Sequence, residues 1–208
     1  MTPPTSPRQR AFGQQGESLI DRFGVFLSYR AILRALPRRG SLRALDLGCG
    51  YHALLLRRLE TRLSAGTGVD VSISPQARHA AGLAWVEDTI ENALPSFTPA
   101  SYDVIFMISV LEHLWEPLAA IQTCWRILDS GGLLIINVPT WLGKRWLEFS
   151  AFRLSASPAE EMNDHKMYYD LRDLWPLLVR AGFRPSQIKM RYHKFGLNLF
   201  VTCRKEPT

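Results

Sequence analysis

Two glycines one residue apart close the run Arg43-Ala44-Leu45-Asp46-Leu47-Gly48-Cys49-Gly50, and a second short run, Thr67-Gly68-Val69-Asp70-Val71, ends in an acid. A glycine turn after a buried strand lets backbone amides approach a ligand closely. A carboxylate at the end of the next strand can accept two charge-assisted hydrogen bonds from the vicinal hydroxyls of a ribose. The chemistry these residues suit is the holding of a nucleoside. Gly48-x-Gly50-x-x-Ala53 also satisfies the relaxed dinucleotide fingerprint, so the glycines alone admit a nicotinamide cofactor as well as another adenosine-bearing one. Proton transfer has its own candidates in His113, His165 and Tyr168. No pair of histidines or carboxylates shows a recognisable ligand spacing, so no metal is expected.

These groups need elements to place them. Strands are expected at Arg43 to Leu47, Gly66 to Val71, Leu83 to Glu87, Tyr102 to Ile108 and Gly132 to Val138. Between them the apolar spacing predicts helices from His52 to Leu63, Ser74 to Ala81 and Pro117 to Leu128, after a leading helix from Leu19 to Leu36 that Pro37 and Gly40 stop. Asp170 and Asp173 form a capping box at the head of a helix running from Leu171 to Ala181, which Gly182 ends. Two tail strands, Gln187 to His193 and Asn198 to Lys205, meet through Phe195-Gly196 as a hairpin. Short buried strands alternating with helices mark a Rossmann-like, doubly wound α/β fold: a mostly parallel seven-stranded sheet with a C-terminal antiparallel hairpin, in a single domain.

Length and composition agree with one domain, since 208 residues with 47% hydrophobic content sustain a sizeable core. The first 17 residues are rich in Pro, Ser, Gln and Arg and read as a mobile arm, leaving 18–205 as the domain. The formal charge of +6 is spread along the chain without a zinc-finger, RNA-binding or basic-zipper signature, so no nucleic acid is expected. Three separated cysteines without a C-x-x-C pair suit a reducing cytoplasm, and no apolar run reads as a signal peptide or membrane span. Oligomeric state is not readable.

With its pieces in this order the chain, from about Leu42 to Arg204, resembles the class I S-adenosylmethionine-dependent methyltransferases, in particular their small-molecule branch. Four motifs carry the likeness: Leu45-Asp46-Leu47-Gly48-Cys49-Gly50; Asp70; Asp88 in Val86-Glu87-Asp88-Thr89; and Tyr102-Asp103-Val104-Ile105 leading into Val110-Leu111-Glu112-His113-Leu114. The resemblance implies S-adenosyl-L-methionine as cofactor, with the glycine run around its methionine part, Asp70 on the ribose and Asp88 at the adenine. It implies a cofactor set of Asp46, Gly48, Cys49, Gly50, Asp70, Val71, Asp88, Thr89 and Ser109, with His113 and His165 facing the acceptor. One departure is His52, which stands where the family usually has a third glycine. The nicotinamide reading loses ground because no second nucleotide half or hydride-transfer constellation follows the fourth strand. A non-catalytic subunit of the same fold is the other alternative.

The acceptor remains open among small molecules, glycans and lipid-linked compounds. Between the fifth strand and the helix at Leu171 the chain inserts residues 139–169, expected as a lid over the acceptor pocket. Leu142, Trp146, Phe149 and Arg153 share one helical face there, beside Lys144 and Arg145. The same composition suits peripheral contact of 141–154 with the inner membrane surface by an otherwise cytoplasmic enzyme.

Overall fold

The computed structural model describes residues 11–13, 19–38, 40–146 and 165–207. Seven strands form one sheet: β1 (Leu42–Leu47), β2 (Leu63–Asp70), β3 (Leu83–Glu87), β4 (Tyr102–Ile108), β5 (Leu128–Pro139), β6 (Ile188–His193) and β7 (Asn198–Arg204). Their spatial order is β3-β2-β1-β4-β5-β7-β6. The first five are parallel, and β7 runs antiparallel to both β5 and β6.

Side chains alternate along the strands between two cores, as a sheet covered on both faces requires. Leu45, Leu47, Ile105, Met107, Leu134 and Ile136 meet α5 (Pro117–Ile127) and α6 (Leu171–Arg180) through Ile121, Cys124, Leu174 and Leu178. On the other face Leu42, Ala44, Val104, Phe106, Leu133 and Ile135 meet α1 (Leu19–Ala35) and α2 (Leu54–Leu59) through Ala31, Ile32, Leu56 and Leu59. Each such fully buried aliphatic side chain contributes about 1.5–3 kcal/mol. The order places β1 at the point where the chain, having gone outward to β2 and β3, returns to β4. An open parallel sheet binds ligands in the crevice outside the carboxyl ends of the strands at that switch point.

Several boundaries depart from expectation. The helix expected over His52 to Leu63 ends at Leu59 and passes through a tight turn at Glu60–Arg62, so β2 begins at Leu63 instead of Gly66. The helix expected over Ser74 to Ala81 is one turn, α3 (Pro75–Arg78), opened by the Ser74 hydroxyl accepting the Ala77 N–H at 3.1 Å and followed by Gly82 at φ +74°. Strand β5 starts early, at Leu128, which pairs with Tyr102 before a register shift through the Asp129-Ser130-Gly131 break. A single turn not foreseen, α4 (Ile90–Ala93), is capped by Thr89. The hairpin forms as expected, its turn held by Lys194, Phe195 and Gly196, all at positive φ.

At the amino edge, away from the crevice, Arg43 pairs with Asp103 at 3.1 Å and with Asp129 at 2.6 Å, tying β1, β4 and the start of β5 together. Asp103 chiefly raises the Arg43 pKa; the Asp129 pKa is lowered, first by the Ser130 N–H and then by Arg43.

Candidate active site

The turn after β1 is shaped by its glycines. Gly48 and Gly50 sit at φ +71° and +75°, and the N–H groups of Gly48 and Cys49 both donate to the Val69 carbonyl, at 2.8 and 3.0 Å, which pins the turn to β2. A Cβ on Gly48 would lie 2.4 Å from Cγ2 of Val110, so the turn also touches the segment after β4. Residues 11–13 lie over it: the Phe12 carbonyl accepts the Tyr51 N–H at 2.9 Å, and Ala11 is buried.

Two acids line this turn. Asp70, at the end of β2, accepts the Gly50 N–H on one oxygen and the Val71 N–H on the other, each at 2.8 Å. Both contacts leave lone pairs for a ligand's hydroxyls. Asp46 is 2% exposed, and its pKa is pushed well above the ordinary carboxylate value, first by burial and then by repulsion from Asp70. A positively charged group bound beside Asp46 would oppose that shift. The Cys49 thiol beside them is pushed up by burial and then by both acids, which keeps it protonated and unreactive. Asp88 follows β3 and lies against β2 through its N–H to the Asp70 carbonyl at 3.1 Å; one of its oxygens accepts the Thr89 N–H and the Asn92 amide.

Beyond β4 the backbone bends sharply. Ser109 adopts φ +56°, unusual for a residue with a Cβ, and its N–H donates to the Asn137 carbonyl at 2.8 Å. The next turn, Leu111–His113, carries a fully buried Glu112 and a half-buried His113. The strap 165–169 docks on it: the N–H groups of Lys166 and Met167 donate to the Glu112 carbonyl, and the Tyr169 hydroxyl donates to the Leu111 carbonyl at 3.3 Å. Burial, then the Glu112 charge, raises the Tyr169 pKa, so this hydroxyl stays a donor. His165 is thereby set edge-on to His113, ring centres 4.8 Å apart, with its Nδ1 3.0 Å from the Tyr168 hydroxyl.

A family model described as a methyltransferase domain matches residues 20–188. The chain belongs to the S-adenosylmethionine-dependent methyltransferases. Among relatives of this methyltransferase, the Vibrio cholerae ubiquinone biosynthesis O-methyltransferase is 34% identical over 163 residues, 74% of this chain and 66% of that protein. The Xanthomonas campestris protein of the same name is 33% identical over 122 residues, covering 54% of this chain and 48% of the relative. The chain spans about half the length of the curated relatives it matches. A solved S-adenosylmethionine-dependent methyltransferase from Mesorhizobium loti shares the fold at TM-score 0.65 and 15% identity, over 86% of this chain and 98% of that one.

The methyltransferase thus gathers the expected residues into two neighbouring groups. Asp46, Gly48, Cys49, Gly50, Asp70 and Val71 form one around the glycine turn, with Asp88 and Thr89 joined to it through Asp70. His113 and His165 form the other, Val110 bridges the two, and Ser109 is tied to β5 through Asn137. The His52 ring lies edge-on to that of Tyr51, with centres 5.0 Å apart. Asn137 and Glu112 were not foreseen. Asn137 is fully buried at the end of β5 with no hydrogen-bond partner for its side-chain amide among the described residues, and an isolated asparagine in an apolar run gives no sequence signal for that. Of the expected lid, residues 147–164 lie outside the described residues, with Phe149 and Arg153 among them.

Proposed function

We propose that this methyltransferase moves a methyl group from S-adenosylmethionine to an oxygen of a small or lipid-linked acceptor. When bound, the cofactor supplies a methyl already activated on sulfur, so the chain's work is to hold, align and exclude water. The observation that carries the reading is the buried Asp46–Asp70 pair against the glycine turn. The two acids and the turn amides together suit the ribose and the amino-acid tail of an adenosyl cofactor. Asp88 and Thr89 continue the same edge to where a base would lie. The His113–His165 pair, across Val110 from the turn, marks the acceptor side, where a hydroxyl must lose its proton before it can be methylated.

Oxygen as the methylated atom is supported by the named activity of the relatives at 33–34% identity. A lipid-linked acceptor is supported by the surface beside the site. Residues 141–146 form a helical segment whose Trp141, Leu142 and Trp146 are exposed, and the hairpin tip beside it carries Phe195 at 89% exposure. Thr140 joins the two, its N–H donating to the Leu197 carbonyl and its hydroxyl to the Gly196 carbonyl. Exposed aromatics edged by Lys144, Arg145 and Arg191 favour a bilayer surface over water.

The test is transfer of labelled methyl from S-adenosylmethionine into cell extract split into aqueous and organic fractions. Label in an alkali-stable ether of the organic fraction is expected. Label confined to amine products would contradict oxygen, and no incorporation into either fraction would contradict the transferase reading.

A further inference from the structure

Glu112, His113 and His165 each offer one ligand atom, and these atoms lie within 4.8 Å of one another. From this geometry we infer that the acceptor side of the methyltransferase site holds a divalent first-row transition cation, which binds the acceptor's hydroxyl oxygen. Two imidazole nitrogens and a carboxylate oxygen are the donor set that binds zinc, iron, cobalt or manganese while leaving coordination positions open for water or substrate.

Three features of the fold support it. The carboxyl group of Glu112 is fully buried, held by a turn that the strap 165–169 covers, so its oxygens are fixed where side-chain freedom is least. His165 is oriented by the contact between its Nδ1 and the Tyr168 hydroxyl, and an outer partner fixing the ring in this way is usual for ligating histidines. Ligand atoms on one metal at bond lengths of about 2.1 Å stand roughly 3 to 3.5 Å apart. Closing from 4.8 Å to that spacing requires rotation of the half-buried imidazoles about their side-chain torsions.

The inference rests on the methyl-transfer reading and specifies how the acceptor is activated. A hydroxyl bound to the cation loses its proton to solvent at a lower pH than a free one. The alkoxide or phenolate oxygen then forms the new bond to the methyl carbon. As the carbon–sulfur bond breaks, its electron pair passes to sulfur, which becomes a neutral thioether. In this arrangement His113 and His165 are ligands, and neither takes the proton.

The chain, stripped with a chelator and dialysed, is titrated with Co²⁺ while visible absorbance is followed, and Zn²⁺ is used to displace it. One saturable equivalent with ligand-field bands of mixed nitrogen and oxygen coordination is expected. His165→Ala and Glu112→Gln weaken it by roughly tenfold or more, whereas His79→Ala, at an exposed position just after α3, matches the parent. S-adenosylhomocysteine is added to every variant, and its thermal shift is expected to be unchanged. That shift reports folding and the cofactor site separately, so its loss in the parent counts against the methyl-transfer reading alone. Absence of saturable Co²⁺ binding to the parent, or His165→Ala binding as the parent does, would overturn the metal site.

Discussion

Asp46 shows how a residue serves a site at the expense of the fold. Its folded pKa lies above its unfolded one, so between those values the folded chain holds a proton that the unfolded chain has released. Stability contributed by this group is therefore lost as pH rises from about 4, where a free carboxyl ionises, towards the raised value. Asp46→Asn removes that penalty. Its melting temperature without ligand is expected to exceed the parent's at neutral pH and to fall less with rising pH, while its affinity for S-adenosylhomocysteine drops. A variant no more stable than the parent at pH 7 would show that Asp46 carries no such cost. At Gly48 the restraint is steric. Alanine there meets both the left-handed backbone and Val110, and costs about 2 to 4 kcal/mol in denaturant unfolding. Val110→Ala in the same chain should restore only part of it. Gly48, Gly50, Asp46 and Asp70 were all legible in the sequence because their types and spacing report backbone freedom and charge directly. Glu112 and His165 were not paired there, since a contact that depends on a strap folding back over the end of β4 leaves no trace in local spacing.

Elements were legible where a single pattern decided them. Strands β1 and β4, buried on both faces between helices, read as apolar runs, and the capped head of α6 read from Asp170 and Asp173: the Asp173 carboxylate accepts the Asp170 N–H at 2.8 Å. The same carboxylate oxygen accepts the Trp141 indole N–H at 3.1 Å, coupling the segment after β5 to the helix. Boundaries slipped where tertiary pairing outweighed local propensity. Leu63 reads as the last residue of the helix after β1, yet it pairs with Leu42 and joins β2. Leu128 reads as the last residue of α5 and is taken by its pairing with Tyr102. Arg43 holds that amino-edge region, and with 38% of its side chain exposed, solvent screening limits its worth. Arg43→Met is expected to lower stability by only about 1 kcal/mol in urea unfolding, without effect on cofactor affinity. A loss of affinity in that variant would mean that the two edges of the sheet are coupled.

Over the whole molecule, the candidate site residues sort to one end of the sheet. The amino edge carries ion pairs, and the carboxyl edge carries the glycine turn, both acids, the histidine pair and the exposed aromatics of 141–146 and the hairpin tip. No helix among the described residues is long and apolar enough to cross a membrane, and the bilayer contact proposed for this chain is a peripheral one through this rim. With a formal charge of +6, the chain is expected to sediment with vesicles containing anionic lipid, less so at high salt, and to lose that binding in a Trp146→Asp, Phe195→Asp variant. Equal sedimentation of parent and variant would contradict the rim as the contact. The central claim, that this edge holds an adenosyl cofactor through Asp70 and the glycine turn, is met most directly by calorimetric titration with S-adenosylhomocysteine. One site per chain is predicted for the parent and no measurable heat for Asp70→Ala of intact fold; binding of equal affinity in both would contradict it.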